Sequence, residues 1–204
     1  MLQGSTPLLF HPSDYASLTR RLIACILDLV ILLGALSMAT TAVGMLVVPR
    51  ELYKITNRAE RQKQIDPYLK PYRAPVTAMW FVGIPAYHIF LRRLRGGTPG
   101  YRIAGIRIVD AYALPPVTPV LIKRFLIAFP FVLFFGLSYF PVPKHPRRQA
   151  GHDQWSGTWL VRKHAHPTGP AQIAYQTKLL GTWLIKYPDL EPAPIVLPDS
   201  EPPP

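Results

Sequence analysis

The chain has 204 residues, of which 49% are hydrophobic and only 17% charged, and 23 Lys and Arg face 11 Asp and Glu for a formal net charge of +12. A soluble domain carries about a quarter charged residues, whereas here the charges cluster, leaving one charge in residues 22–48 and none in 74–91 or 125–143. Runs of about 18 or more such residues match the ~30 Å hydrocarbon core of a bilayer, which excludes an ordinary soluble enzyme and points to an integral membrane protein.

Basicity on this scale can mark a nucleic-acid binder. Here the bases flank apolar segments, and there is no zinc knuckle, helix-turn-helix pattern or basic stripe with interleaved aromatics. Anionic lipid headgroups are therefore the expected partner, and nucleic acid is not. The single cysteine, Cys25, lies inside the first apolar run, so no intrachain disulfide can form. That run is also too long for the ~7–15-residue apolar region of a cleaved signal peptide.

In chain order, residues 1–17 read as a polar lead. Arg20 and Arg21 open the first membrane segment, 20–48. Its fourteen Leu, Ile and Val residues, at about −0.3 to −0.6 kcal/mol each, outweigh Asp28 at about +3. Residues 49–75 are polar, and about 50–64 is expected to be a surface helix stopped by Pro67 and Pro71. The second membrane segment, 74–95, contains Pro85 and His88 and closes on Arg92 and Arg93.

Glycines 96, 97, 100 and 105 then mark turns, and Ile106 and Ile108 flanking Arg107 predict a short strand. A third apolar stretch, 118–142, is broken by Pro130 and reads either as a spanning helix or as an interfacial helix with a re-entrant piece. Residues 157–162 predict another strand. Residues 171–187 carry Ile173, Leu180, Leu184 and Tyr187 at near-helical spacing, so 164–187 is expected to be a short amphipathic helix on the membrane surface or against the protein. Residues 188–204 hold seven prolines and are expected to be disordered. The expected fold class is an all-α membrane protein with two transmembrane helices, a third membrane-embedded segment and short strand-like elements at one membrane face.

Base counting gives seven Lys and Arg in each of the two inter-segment loops. Arg20 and Arg21 tip the N-terminus towards the cytoplasm. The seven bases after residue 143 prefer the same side, which a third full crossing would forbid.

Three patterns occur in order: "ASLTRRLIACILDLVIL" (16–32), "GGTPGYRIAGIRIVD" (96–110) and "RRQAGHDQWSGTWLVR" (147–162). Together they resemble the RDD family of membrane proteins, named for one Arg and two Asp residues, over roughly 16–163. The resemblance places the arginine at Arg21, the first aspartate at Asp28 and the second at Asp153, with Asp110 as the other acid for that last place. This chain departs from the pattern at Pro99, Tyr101 and Ser156. The resemblance implies a bacterial inner-membrane protein. Transport of ligands, in some cases ions, has been proposed for the family, while other members look like partner or assembly subunits.

Asp28 is the candidate that carries most chemistry, because an acid in a transmembrane helix is expensive and marks a functional site by default. It reads either as an ion- or proton-binding carboxylate or as a buried acid that fixes helix packing. His88 could relay protons with it, or simply pack; Lys123 and Arg124 are its other candidate partners. Pairing of 103–109 with 157–162 would place Asp110 and Asp153 near Arg102, Arg107 and Arg148. The histidines at 145, 152, 164 and 166 lack metal-ligand spacing, and no nucleophile motif is present. No metal, cofactor or enzymatic activity is expected. Two function classes remain: an ion- or solute-translocating protein, oligomeric because two or three helices rarely enclose a path, and a non-transporting adaptor that holds a partner membrane protein.

Overall fold

The computed structural model describes residues 6–95, 97–133, 137–180 and 183–194. Helix α1 (Leu18–Val47) starts at Ser17, whose hydroxyl accepts from the Arg20 N–H at 3.4 Å, the usual remedy for an orphan first-turn donor. Its buried positions, Arg21, Ala24, Asp28, Leu32 and Leu36, recur every three or four residues and form one stripe. Leu22, Ile26, Leu29, Val30, Met38 and Leu46 stand exposed around the rest of the helix. Only 22% of its most apolar window is buried. A core helix of a soluble protein would be largely covered.

Helix α2 (Arg58–Leu69) is capped by the Asn57 side chain, and a 3₁₀ turn joins it to α3 (Arg73–Arg95). Trp80 Nε1 donates to Thr40 Oγ1 at 3.0 Å, tying α3 to α1. In the helical run Arg58–Arg93, none of the apolar window is buried. This run and α1 are the two helices among the described residues long and apolar enough to cross a membrane.

The remaining elements gather at the N-terminal end of α1. They are β1 (Leu8–Phe10), α4 (Pro99–Ile103), β2 (Ile106–Val109), α5 (Thr118–Leu133), α6 (Gly151–Ser156), β3 (Trp159–Arg162), β4 (Pro167–Leu180) and β5 (Trp183–Pro192). Strands β2 and β3 pair antiparallel, Ile106 opposite Arg162 and Ile108 opposite Leu160. A second antiparallel sheet has the order β1-β4-β5. The Ala16 N–H donates to Leu160 O and the Lys163 N–H to Gly105 O, each at 2.9 Å, so β3 is stitched both to the lead into α1 and to the α4–β2 turn. One face of the two-stranded sheet buries Ile106, Ile108 and Leu160 with Ala24, Tyr101 and Leu121; Val109, Trp159 and Val161 pack with Phe10, Tyr15 and Leu190.

The all-α expectation is therefore overturned. The segment 164–187 is not a helix: residues 167–180 and 183–192 form a hairpin with Ile173 opposite Leu190 and Leu179 opposite Leu184. The near-helical spacing competed with a period-two pattern, Ile173, Tyr175, Thr177, Leu179, in residue types that suit a pleated surface. A glycine at 181 would in addition cost a helix interior about 1 kcal/mol relative to Ala. The expected disordered tail begins too early, since Pro188–Pro192 complete β5; residues 195–204 lie outside the described residues.

The third apolar stretch also differs. Helix α5 has 16 described residues, about 24 Å, and it continues through Pro130. Residues 134–136 lie outside the described residues. By Ser138 the chain is back at α6, where Ser138 Oγ meets His152 Nδ1 at 2.8 Å. Pro67 likewise sits inside α2 and does not stop it.

Candidate functional site

Two buried carboxylates organise the junction between α1 and the domain at its end. Asp153, on α6, accepts from Arg21 Nη1 at one oxygen and from Arg124 Nε at 2.9 Å and Nη2 at 2.5 Å at the other. Its own helix start contributes as well, the Ala150 N–H donating to Oδ2 at 3.2 Å. The Asp153 side chain is 0% exposed and both guanidiniums are 1% exposed.

The arginine forks are used further. Arg21 Nε donates to Ala16 O at 3.2 Å and Nη2 to Arg148 O at 2.6 Å, while Arg124 Nη1 reaches Tyr101 Oη at 3.3 Å. A planar guanidinium with five donors can join three segments at once, which a lysine cannot. Burial alone would raise the Asp153 carboxyl, but the charges of Arg124 and Arg21 hold it well below the usual carboxylate range.

Asp28 forms a separate cage. Its Oδ1 accepts from Tyr87 Oη and from the Gly100 N–H, both at 2.8 Å, and its Oδ2 accepts from Thr98 Oγ1 at 2.5 Å. Thr98 is the N-cap of α4 and accepts from Tyr101 N. The sequence Thr-Pro-Gly-Tyr explains the arrangement: Thr caps, Pro suits the first helical position, and Gly leaves room. A Cβ on Gly100 would stand 2.7 Å from Asp28 Oδ1 and closer still to Ala24 O. Asp28 is 2% exposed.

The expected partnerships are partly redistributed. Arg21 and Asp153, 132 positions apart, meet directly, and Asp28 lies on the same stripe of α1 as Arg21 but in its own cage. Arg124, weighed as a partner for Asp28, belongs to Asp153. His88 is one residue off the Asp28 position: Tyr87 takes the hydrogen bond, and the His88 ring packs 6.1 Å from Phe125, with Nδ1 3.4 Å from Arg92 Nη2. Strands β2 and β3 pair, yet Asp110 is not near Asp153. It accepts from the Tyr112 and Leu114 N–H groups at 2.9 Å and shapes an exposed turn. Arg107 and Arg148 donate to the Ala165 and Tyr15 carbonyls. Tyr87, Thr98 and Gly100 were missed as site residues; the capping pattern Thr-Pro-Gly was the signal for two of them.

His152, beside Asp153, is held neutral: burial pushes it down to about 3, opposed by Asp153 and reinforced by Arg124 and Arg21. An unfolded histidine titrates near about 6.5. Stability from this group is thus complete above that pH and falls as the unfolded chain takes up a proton, by about 1.4 kcal/mol per pH unit, down to the folded value. A His152→Gln variant is expected to lose that slope between pH 6 and 4 in detergent unfolding measurements, whereas the contribution of His145, also lowered by burial, is common to both proteins.

A two-helix apolar anchor topped by a small mixed domain, its junction fastened by Arg21 and Arg124 on Asp153 and by the cage around Asp28, defines a membrane protein of a specific class. The chain belongs to the RDD family: the family's model matches residues 15–157, a span that contains Arg21, Asp28 and Asp153. No curated relative and no solved structure matches the chain.

Proposed function

We propose that this chain is a non-enzymatic, multi-pass assembly subunit of a bacterial inner membrane, cytoplasmic at its N-terminus, that holds a membrane partner and does not translocate a solute. The observation that carries this reading is the Asp28 cage. Both carboxylate oxygens are occupied by three donors of the chain itself, and the group is 2% exposed. Three of its roughly four acceptor sites are thus taken inside the fold, and burial keeps the remaining one from solvent. Its role is to pin α4 against α1, as Asp153 pins α6 against α1 and α5.

The partner surface is apolar. A groove of about 290 Å³ between α3 and α5 is lined by Trp80, Phe81, Ile84, Phe125, Leu126 and Phe129, in keeping with a neighbouring helix or a second copy packing there. The orientation is supported by charge: seven Lys and Arg lie in residues 49–73 and the other sixteen outside them, in segments that join the domain at the α1 N-terminal end or flank it. In this reading α5 does not cross, so the bases after residue 143 lie on the same side as the N-terminus.

A second reading, an ion or small-solute transporter, is favoured by one fact, a carboxylate on a membrane helix beside two hydroxyls. It requires the cage to open. Proteoliposome flux under sodium, potassium and proton gradients separates the two. The assembly reading expects no flux, together with a discrete adduct from a photo-crosslinker at Phe81 in membranes. Gradient-driven flux that disappears in a folded Asp28→Asn variant would overturn it.

A further inference from the structure

The β4–β5 hairpin has no counterpart in the function proposed above. Its base is packed: Ala171, Tyr187, Asp189 and Leu190 are buried, and Arg147 Nη1 donates to Asp189 Oδ2 at 2.5 Å. Beyond it, in the outer half, the described pairs run from Tyr175 opposite Pro188 to Leu180 opposite Trp183, six pairs or roughly 17 Å at a strand's rise. There Tyr175 is 62%, Leu179 64% and Leu184 75% exposed.

The large exposed apolar side chains Tyr175, Leu179 and Leu184 share one face with Lys186, while Lys178, opposite Ile185, lies on the other. The register places Ile173, Tyr175, Thr177 and Leu179 opposite Leu190, Pro188, Lys186 and Leu184. Successive residues of a strand point to opposite faces, so these alternate positions share a side. Lys186 Nζ stands 5.0 Å over the Tyr175 ring. The outer half carries Lys178 and Lys186 and no acid, while Asp189 and Glu191 are confined to the base.

We propose that this face of the hairpin inserts shallowly into the anionic headgroup region of the bilayer that α1 and α3 cross. Large apolar side chains with Lys186 on their own face and Lys178 on the opposite one suit an interface where the apolar part enters the acyl boundary and the ammonium groups stay at the phosphates. The charge is complementary, each basic residue near an anionic surface adding about a fivefold preference. The hairpin is rooted in the domain seated on the α1 N-terminus, and its buried Tyr187 ring lies 6.5 Å from that of His145, next to Lys144, whose ammonium stands 5.5 Å over the exposed Phe140 ring.

The competing occupant is a strand of another protein added to the open edge of β5. That edge contains Pro188 and Pro192, which offer no N–H to a ladder. The face, and not the edge, is the adhesive part.

The test is an environment-sensitive fluorophore on Leu184→Cys in a Cys25→Ser background, with the full chain reconstituted in vesicles of phosphatidylcholine with or without phosphatidylglycerol. With the anionic lipid the label is expected to shift to the blue and to be quenched by lipids carrying a nitroxide high on the acyl chain. Adding Lys178→Glu and Lys186→Glu shifts that insertion equilibrium towards water by about tenfold or more. Quenching by aqueous iodide but not by nitroxide lipid, in both vesicle types, overturns the proposal. So does protection from both quenchers that disappears as the lipid-to-protein ratio rises, which is the signature of a second copy. Neither the flux nor the Phe81 adduct bears on this result, so the two proposals fail separately.

Discussion

Asp153→Asn is expected to destabilise the fold by about 3–5 kcal/mol, the range for removing one partner of a buried charge cluster. The geometry puts the effect at the upper end. With the carboxylate gone, Arg21 and Arg124, each 1% exposed, face one another across a neutral amide. Two buried cations then lack a counter-ion, and the new amide N–H₂ competes with their donors for acceptors. Against a typical total stability of about 5–15 kcal/mol, a loss at that upper end takes between about a third and all of it. Thermal or denaturant unfolding in detergent measures it. Arg21→Lys is the sharper comparison, because an ammonium keeps the charge but cannot donate along the separate directions to Ala16 O, Arg148 O and Asp153. A wild-type-like Arg21→Lys protein would show that charge alone suffices.

Gly100→Ala carries the second large effect. The methyl group would lie 2.7 Å from Asp28 Oδ1 and 2.8 Å from its Cγ, distances that force α4 off α1. Overpacking of this kind typically costs about 1–3 kcal/mol, and here it also breaks the Gly100 N–H bond to Asp28. Gly34→Ala is the control. It lies on α1 with nothing within 4 Å of the added carbon, and in a helix the change is expected to be neutral or stabilising by up to about 1 kcal/mol. Thermal midpoints of the two variants in the same detergent check the contrast.

The parts legible from sequence were those set by local physics. The α1 apolar run, the base pair that opens it and the apolar helix around Pro85 follow from composition over lengths that a bilayer dictates. The two strands beside Arg107 and Trp159 were visible in their alternation. The hairpin was not, because Ile173, Leu180, Leu184 and Tyr187 satisfy a helical period nearly as well as their neighbours satisfy a period of two. What decides is the antiparallel pairing of residues 167–180 with 183–192, which no local spacing announces.

The site was half legible for a related reason. Arg21, Asp28 and Asp153 were identifiable as residues, Asp28 by the cost of an acid in a membrane helix and the other two through a family pattern. Who pairs with whom is a tertiary fact: Arg21 is 132 positions from Asp153 and Arg124 is 29 positions from it, and nothing local to either end signals the partner. The shift from His88 to Tyr87 shows the same limit. One residue is about 100° of helix rotation, enough to exchange a hydrogen bond to Asp28 for a stack on Phe125.

The central claim is that the family's acids are fastenings closed inside the fold. Reaction of the membrane-embedded protein with a hydrophobic carbodiimide, read by mass spectrometry at Asp28, tests it most directly. The account predicts that Asp28 stays unmodified in the folded protein whatever the sodium or proton concentration, and reacts only after unfolding. Modification of Asp28 in the folded state, suppressed by a particular cation, would contradict it and establish an exchangeable ion-binding carboxylate.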